Sequence, residues 1–324
     1  GGSGSGNWND TATSVNPFLI KLQSTGVPTG WNSSVARDWV IVDGGAATGF
    51  DASHFSVDTT GFGGTVAGVF SLSVVSGDLH LTYTPAPDVV LNVVTGSQTQ
   101  GALGFPAISG TVGVIKVGNG EAVLNNAAND YAGLTRIYAG TLSISADALN
   151  GSGTLGAANS SVLLGNTTGT SNATFNISAA DVTMARNLVV QSGSTGAKAI
   201  STTITSGTAT NAGDVTLNDP VILSAAAGGT LRVVGTLSGT GGITKTGAGT
   251  VALNAANNFT GKTVISNGVL SIDAVGRLGA LPGSIVADQI TLNGGTLEFT
   301  AGTTASGGNR GFQLGASGGT FSVI

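Results

Sequence analysis

Two stretches of this chain read alike, and that likeness limits what the whole can fold into. Residues 115–144 run IKVGNGEAVLNNAANDYAGLTRIYAGTLSI, and residues 243–272 run ITKTGAGTVALNAANNFTGKTVISNGVLSI. Lys116 falls on Lys245, Gly118 and Gly120 on Gly247 and Gly249, and Leu124-Asn125 on Leu253-Asn254. Tyr131 falls on Phe259, Gly133 on Gly261, Ile137 on Ile265, and Gly140-Thr141-Leu142-Ser143-Ile144 on Gly268-Val269-Leu270-Ser271-Ile272. The first copy has one extra residue between Leu124 and Tyr131, and matching positions lie about 130 residues apart. Internal repetition of this kind marks a stack of small units, each completing its core against its neighbours.

Each copy alternates over four or five residues, then breaks at Gly-x-Gly, at an Asn-rich corner and at Asn-Gly or Ala-Gly. Strands this short with a corner between each predict an all-β chain, a right-handed parallel β-helix with an antiparallel hairpin in its N-terminal segment. Roughly a dozen coils about 4.8 Å apart would make a rod about 60–70 Å long. The expected inward residues are Val123, Leu142, Ile144, Val251, Leu253, Val264, Leu270 and Ile272. Asn125 and Asn254 are expected at corners, where Asn tolerates left-handed backbone, with an amide ladder as one use for Asn254. Composition agrees. The chain has 54 Gly and 8% charged residues, yet 40% hydrophobics and a mean hydropathy of +0.32, the opposite of a disordered balance. Glu occurs only at Glu121 and Glu298, so few surface-helix formers are present.

Residues 1–104 differ from the rest. They hold Trp8, Trp31 and Trp39, both His (His54, His80) and four of the seven Pro. Pro17–Leu22 and Trp39–Val42 read as strands. Val69–Thr84 reads as a hairpin, with Phe70, Leu72 and Val74 alternating against Leu79, Leu81 and Tyr83 across a Ser76-Gly77-Asp78 turn. The expected division is therefore 1–104, a β segment that caps, decorates or serves as an assembly end, and 105–324, the β-helix. The opening Gly-Gly-Ser-Gly-Ser-Gly fits a linker or native sequence.

The two copies resemble the autotransporter-associated β-strand repeat of bacterial surface-protein passengers. KTGAGTVALNAANNFTGKTVISNGVLSI (245–272) carries the closest match. GTLSGTGGITKTG (235–247) and ITLNGGTLEFT (290–300) are similar to segments that flank such repeats, and the likeness extends faintly into 1–104. It implies export and a solenoid passenger with no shared catalytic residues.

Other function classes are weighed against the residues. Net charge is −5, and the 11 basic residues are scattered from Lys21 to Arg310, which speaks against nucleic acid. No apolar run is long enough to span a bilayer. There are no Cys, which excludes thiol catalysis and Cys-ligated zinc. A glycosidase needs two carboxylates flanking the bond; Asp214 and Asp219 lie five apart across a strand and corner and are read as structural. His80 reads as a solvated strand residue and His54 as a turn residue, leaving no Ser/His/Asp set. Gly-x-Gly at 118–120 and 247–249 precedes no helix, so it is no phosphate loop. No cofactor or metal is expected.

The residues therefore point to a non-enzymatic, extracellular structural or adhesive β-solenoid at the bacterial cell surface. It would be a building block of a surface filament or a segment of a giant surface protein. The alternatives are a carbohydrate-active β-helix enzyme and a glycan-binding adhesin module. Trp8, Trp31 and Trp39 are candidate sugar-stacking or packing residues. Gly319–Ile324 reads as a strand without a polar or helical cap, so Phe321 and Ile324 are candidate assembly contacts. The expected partners are another copy stacked head-to-tail, adjoining repeats of the same chain, or surface glycans.

Overall fold

Apolar residues at every second position of many short strands need a partner surface on each rung, and stacking the rungs supplies it. The computed structural model describes residues 18–25, 36–42, 54–62, 68–85, 87–149, 151–157, 161–301 and 308–324. They form two compact units, Gly1–Pro87 with Gly110–Val112, and Asp88–Ser109 with Gly113–Ile324.

In the first unit the hairpin forms as its alternation predicts. Gly68–Val75 pairs antiparallel with Asp78–Pro85, and Arg37–Val42 adds on the other side of Asp78–Pro85. Ser76 and Gly77 both have positive φ (55° and 94°), the twist that a two-residue hairpin turn requires. Leu72, Leu79 and Leu81 are buried, with Ile20, Leu22, Phe55, Val57, Phe70 and Val74 packed against them. Phe18–Gln23 and Phe55–Gly61 pair in parallel and contribute Ile20, Leu22, Phe55 and Val57.

The second unit is a parallel β-solenoid of about nine turns. Among the described residues it has three sheets. A seven-stranded sheet runs from Val89–Asn92 to Leu237–Gly239, and a ten-stranded sheet from Ser97–Thr99 to Arg310–Leu314. A nine-stranded sheet runs from Ser152–Gly153 to Thr320–Val323. All its pairings are parallel except Ala148–Leu149 with Ser152–Gly153. The first rung begins at Val89, ahead of the expected division at 104/105, because Val89–Asn92 pairs with Val114–Val117.

Nine turns replace the dozen expected because loops lengthen the coil. Register partners lie 20 residues apart where corners are tight (Glu121 with Thr141) and 33 apart where a loop intervenes (Thr141 with Thr174). The ten-stranded sheet then spans about 43 Å at the usual strand spacing. Among the described residues helix amounts to a 3₁₀ turn, Val275–Leu278, and a 3₁₀ residue at His54. No described helix is long and apolar enough to cross a membrane.

Inward columns are aliphatic. In the seven-stranded sheet Leu91, Lys116, Ile137, Leu164, Val190 and Leu217 stand one above another, all buried. In the ten-stranded sheet the column is Ala122, Leu142, Phe175, Ile200, Leu223, Lys245, Ile265 and Leu292. Two expected inward residues are corrected. Val123 and Val264 face outward; Ala122 and Leu124, and Thr263 and Ile265, take the interior. Leu142, Ile144, Val251, Leu253, Leu270 and Ile272 are buried as expected.

Candidate functional site

The aligned residues of the two repeats occupy equivalent places, and several of them are polar and buried. Lys116 sits in an aliphatic column with no exposed surface. Its Nζ donates to the backbone oxygens of Val117 (2.7 Å), Gly118 (2.7 Å) and Ala139 (3.0 Å). Lys245, equally buried, donates to Thr246 (2.7 Å), Gly247 (2.8 Å) and Asn267 (2.9 Å). In both copies two acceptors belong to the lysine's own corner and the third to the next coil. Burial alone pushes both ammonium groups down to about 8. Gly140 and Gly268, at φ 70° and 62°, close the cradles. A Cβ on either would lie 2.8 Å from the lysine Nζ and overlap two backbone oxygens.

The Asn-rich loops hold consecutive coils together, though not through the residues expected. Asn125 and Asn254 are exposed and have ordinary backbone φ. The buried ones are Asn129 and Asn257. Asn257 Oδ1 accepts from Leu237 N (2.8 Å) in the preceding coil, and its Nδ2 donates to Arg277 O (2.7 Å) in the next. Asn129 likewise accepts from Ile108 N (2.9 Å) and donates to Thr154 O (2.9 Å), and it exchanges two further bonds with the Gln100 amide. An asparagine carries both a donor and an acceptor, which suits it to join two neighbouring backbones at once.

An aromatic ring plugs each loop. Tyr131 and Phe259 have no exposed surface, and glycines of the next coil, Gly156 and Gly279, lie against the rings. Tyr131 Oη bonds Thr135 Oγ1 at 2.7 Å, and burial raises its phenol. Thr263, the counterpart of Thr135, is buried with its hydroxyl unpartnered. A buried arginine lies above each glycine. Arg186 donates to Gly156 O, and Arg310 to Gly279 O (2.7 Å).

The copies do not share faces. Val114–Val117 and Glu121–Leu124 lie in the seven- and ten-stranded sheets, whereas Ile243–Thr246 and Thr250–Leu253 lie in the ten- and nine-stranded sheets. The repeat is thus a corner unit of two strands and a clipped loop, displaced by one face between copies. The last strand of the seven-stranded sheet, Leu237–Gly239, comes just before the second copy.

Of the other candidate residues, Trp8 and Trp31 lie outside the described residues. Trp39 is 38% exposed and stacks on Phe70 at 6.2 Å. Phe321 and Val323 continue the inner columns above Leu297 and Phe299 and are 49% and 73% exposed; Phe321 packs edge-on to Phe312 at 5.4 Å, and Ile324 is 76% exposed. His80 is corrected. Its side chain is only 13% exposed, and Nδ1 lies 2.7 Å from Asp38 Oδ2, a diagonal contact, because the register sets Asp38 opposite Thr82, two residues along from His80. Asp38 also accepts from Thr82 Oγ1 at 3.2 Å, clamping the edge strand Arg37–Val42. Asp214 and Asp219 are separated as expected: Asp214 accepts from Thr236 N (2.8 Å), and Asp219 pairs with the buried Lys198 (2.5 Å).

The family comparison falls on these corners. The family described as passenger-associated-transport-repeat matches residues 114–144 and 243–272. The adhesin BmaC autotransporter of Brucella suis biovar 1 (strain 1330) is 34% identical over 113 residues, 33% of this chain and 3% of that protein. An extracellular serine protease of Serratia marcescens is 44% identical over 62 residues, 19% of this chain and 5% of that protein. The chain thus spans only a few per cent of the length of these relatives. No solved structure matches. Both corners, with the stapled geometry they share, thus match the passenger-associated-transport repeat, and each match lies within the parallel β-solenoid.

Proposed function

We propose that the chain is a non-catalytic structural and adhesive section of an exported passenger, displayed at the bacterial surface or released from it. The observation that carries this reading is the use of the polar residues common to the repeats. Lys116, Lys245, Asn129 and Asn257 are all spent on groups of their own or adjacent coils, which are backbone groups except for the Gln100 amide beside Asn129. Residues bound this way hold a rod together. The adhesin relative supports the adhesive part. The length of both relatives supports a place within a longer surface fibre. Stacking onto a further rung, of a longer chain or of a second copy, fits the exposed inner-column residues Leu314, Phe321 and Val323.

The purified chain should hydrolyse neither casein nor plant or bacterial polysaccharides, and a fluorophosphonate probe should leave it unlabelled. Labelling at Ser73, the cross-strand neighbour of His80, would sink the non-catalytic reading. Displayed on cells that do not otherwise adhere, the chain should increase attachment to glycan- or matrix-coated surfaces. Attachment equal to that of a display control would remove the adhesive part. Electron microscopy should show end-to-end rods, and a purely monodisperse monomer would remove self-stacking.

A further inference from the structure

Lys116 and Lys245 stand in columns otherwise filled by Leu and Ile, with Leu91 below and Ile137 above in one case, Leu223 and Ile265 in the other. Packing alone would favour an aliphatic residue at these places. Yet both copies keep a lysine, on different sheets, and both surround its nitrogen with three backbone oxygens at 2.7–3.0 Å. An ammonium has three N–H groups, and each finds an acceptor. Burial lowers the basicity of both lysines, and among the described residues neither is in an ion pair with a carboxylate. Converging carbonyl oxygens are also the arrangement that replaces the hydration shell of a monovalent metal ion. Gly140 and Gly268 leave room for the charge, since any side chain there would intrude on it.

We infer that each repeat corner is a monovalent-cation site built from three backbone carbonyls, which the chain fills with its own lysine ammonium. The cation ties two corners together: two oxygens come from its own coil and the third from a residue 23 or 22 positions later. Without it the oxygens would face one another in a dry interior, unpaired and mutually repulsive.

The test uses the full chain and its thermal midpoint in potassium, ammonium and choline chloride at one ionic strength, choline being too large to enter. Wild type should give the same midpoint in all three. Lys245→Met keeps the packing but removes all three N–H donors and orphans the carbonyl oxygens, so it should lose several degrees in every salt. Lys245→Ala leaves the cradle open. It should lose more in choline and recover at least half of that loss in potassium or ammonium after refolding in the salt. A Met variant as stable as wild type would overturn the inference, and so would an Ala variant indifferent to the salt. Should the variants not fold, wild type labelled with ¹⁵N-lysine decides. Slowly exchanging Nζ resonances of Lys116 and Lys245 in the ammonium range at pH 7 are expected, beside that of the ion-paired Lys198; amine-range shifts for the two cradle lysines would overturn the site.

Discussion

Phe259→Tyr should stabilise the chain, although it adds a polar atom to a fully buried side chain. In the first repeat Tyr131 Oη meets Thr135 Oγ1 at 2.7 Å. In the second, Phe259 lies four residues before Thr263, whose buried hydroxyl has no partner. The substitution would supply one. A net hydrogen bond is worth about 1 kcal/mol, and relieving an orphaned buried polar group about 1–3 kcal/mol. Against this stands the loop before Phe259, one residue shorter than before Tyr131, where a tight fit would cost about 1–3 kcal/mol. Equivalent ring seats against Gly156 and Gly279 argue that the hydroxyl is accommodated. The expected balance is a gain of about 1 kcal/mol, or about 2–4 °C in the thermal midpoint of a unit this size. Calorimetry at pH 7, with hydrogen exchange over residues 243–299, reads the effect locally. Solenoid rungs couple mainly to neighbours, so protection should rise there and stay unchanged near residue 131. A loss of 1 kcal/mol or more would refute the equivalence of the two corners.

Three further outcomes follow from the same geometry. Tyr131→Phe should cost about 1–3 kcal/mol by orphaning Thr135, measured by urea unfolding. Asn257→Ala strips the bonds to Leu237 N and Arg277 O and should cost about 2–5 kcal/mol, seen as exchange at least 30-fold faster in the adjoining strands. Stability should rise with pH between about 8 and 10. Lys116 and Lys245 lose their protons near 8 when folded and near the ordinary 10.5 when unfolded, so the unfolded chain binds more protons across that window. The gain is at most about 2–3 kcal/mol per lysine. It should be read below pH 10, because burial raises the Tyr131 phenol and opposes it above that. Denaturant midpoints at pH 7.5 and 9.5, flat in the double Lys→Met variant, check the assignment.

Much of the architecture is legible before any coordinates. The hairpin is written in Phe70, Leu72, Leu79 and Leu81, and the coil in the paired copies. What escapes the sequence is parity and depth. Ala122-Val123-Leu124 and Thr263-Val264-Ile265 carry apolar or near-apolar residues at both phases of the alternation. Composition alone cannot choose the inward phase there; the register with neighbouring coils does. Lysine is ordinarily a surface residue, so the burial of Lys116 and Lys245 is invisible except through their recurrence before Gly-x-Gly. Each loop offers several asparagines. Asn129 and Asn257 become the buried clips because only they lie beside the backbones of both adjacent coils. His80 reads as solvated because Asp38 is 42 residues away in sequence.

The account rests on a stacked parallel register in which the second repeat is displaced by one face from the first. A chain without native cysteine allows a direct measurement by disulfide trapping. Ile222 and Thr244 are register partners in adjacent outward positions of the ten-stranded sheet, within the Cα separation a disulfide spans, about 4.4–6.8 Å. The Ile222→Cys/Thr244→Cys pair should oxidise rapidly and quantitatively in the folded chain. The Thr216→Cys/Thr244→Cys pair, which would meet only if the second repeat followed the first onto the seven-stranded sheet, should stay reduced. Efficient trapping of the Thr216 pair, with none of the Ile222 pair, would contradict the architecture.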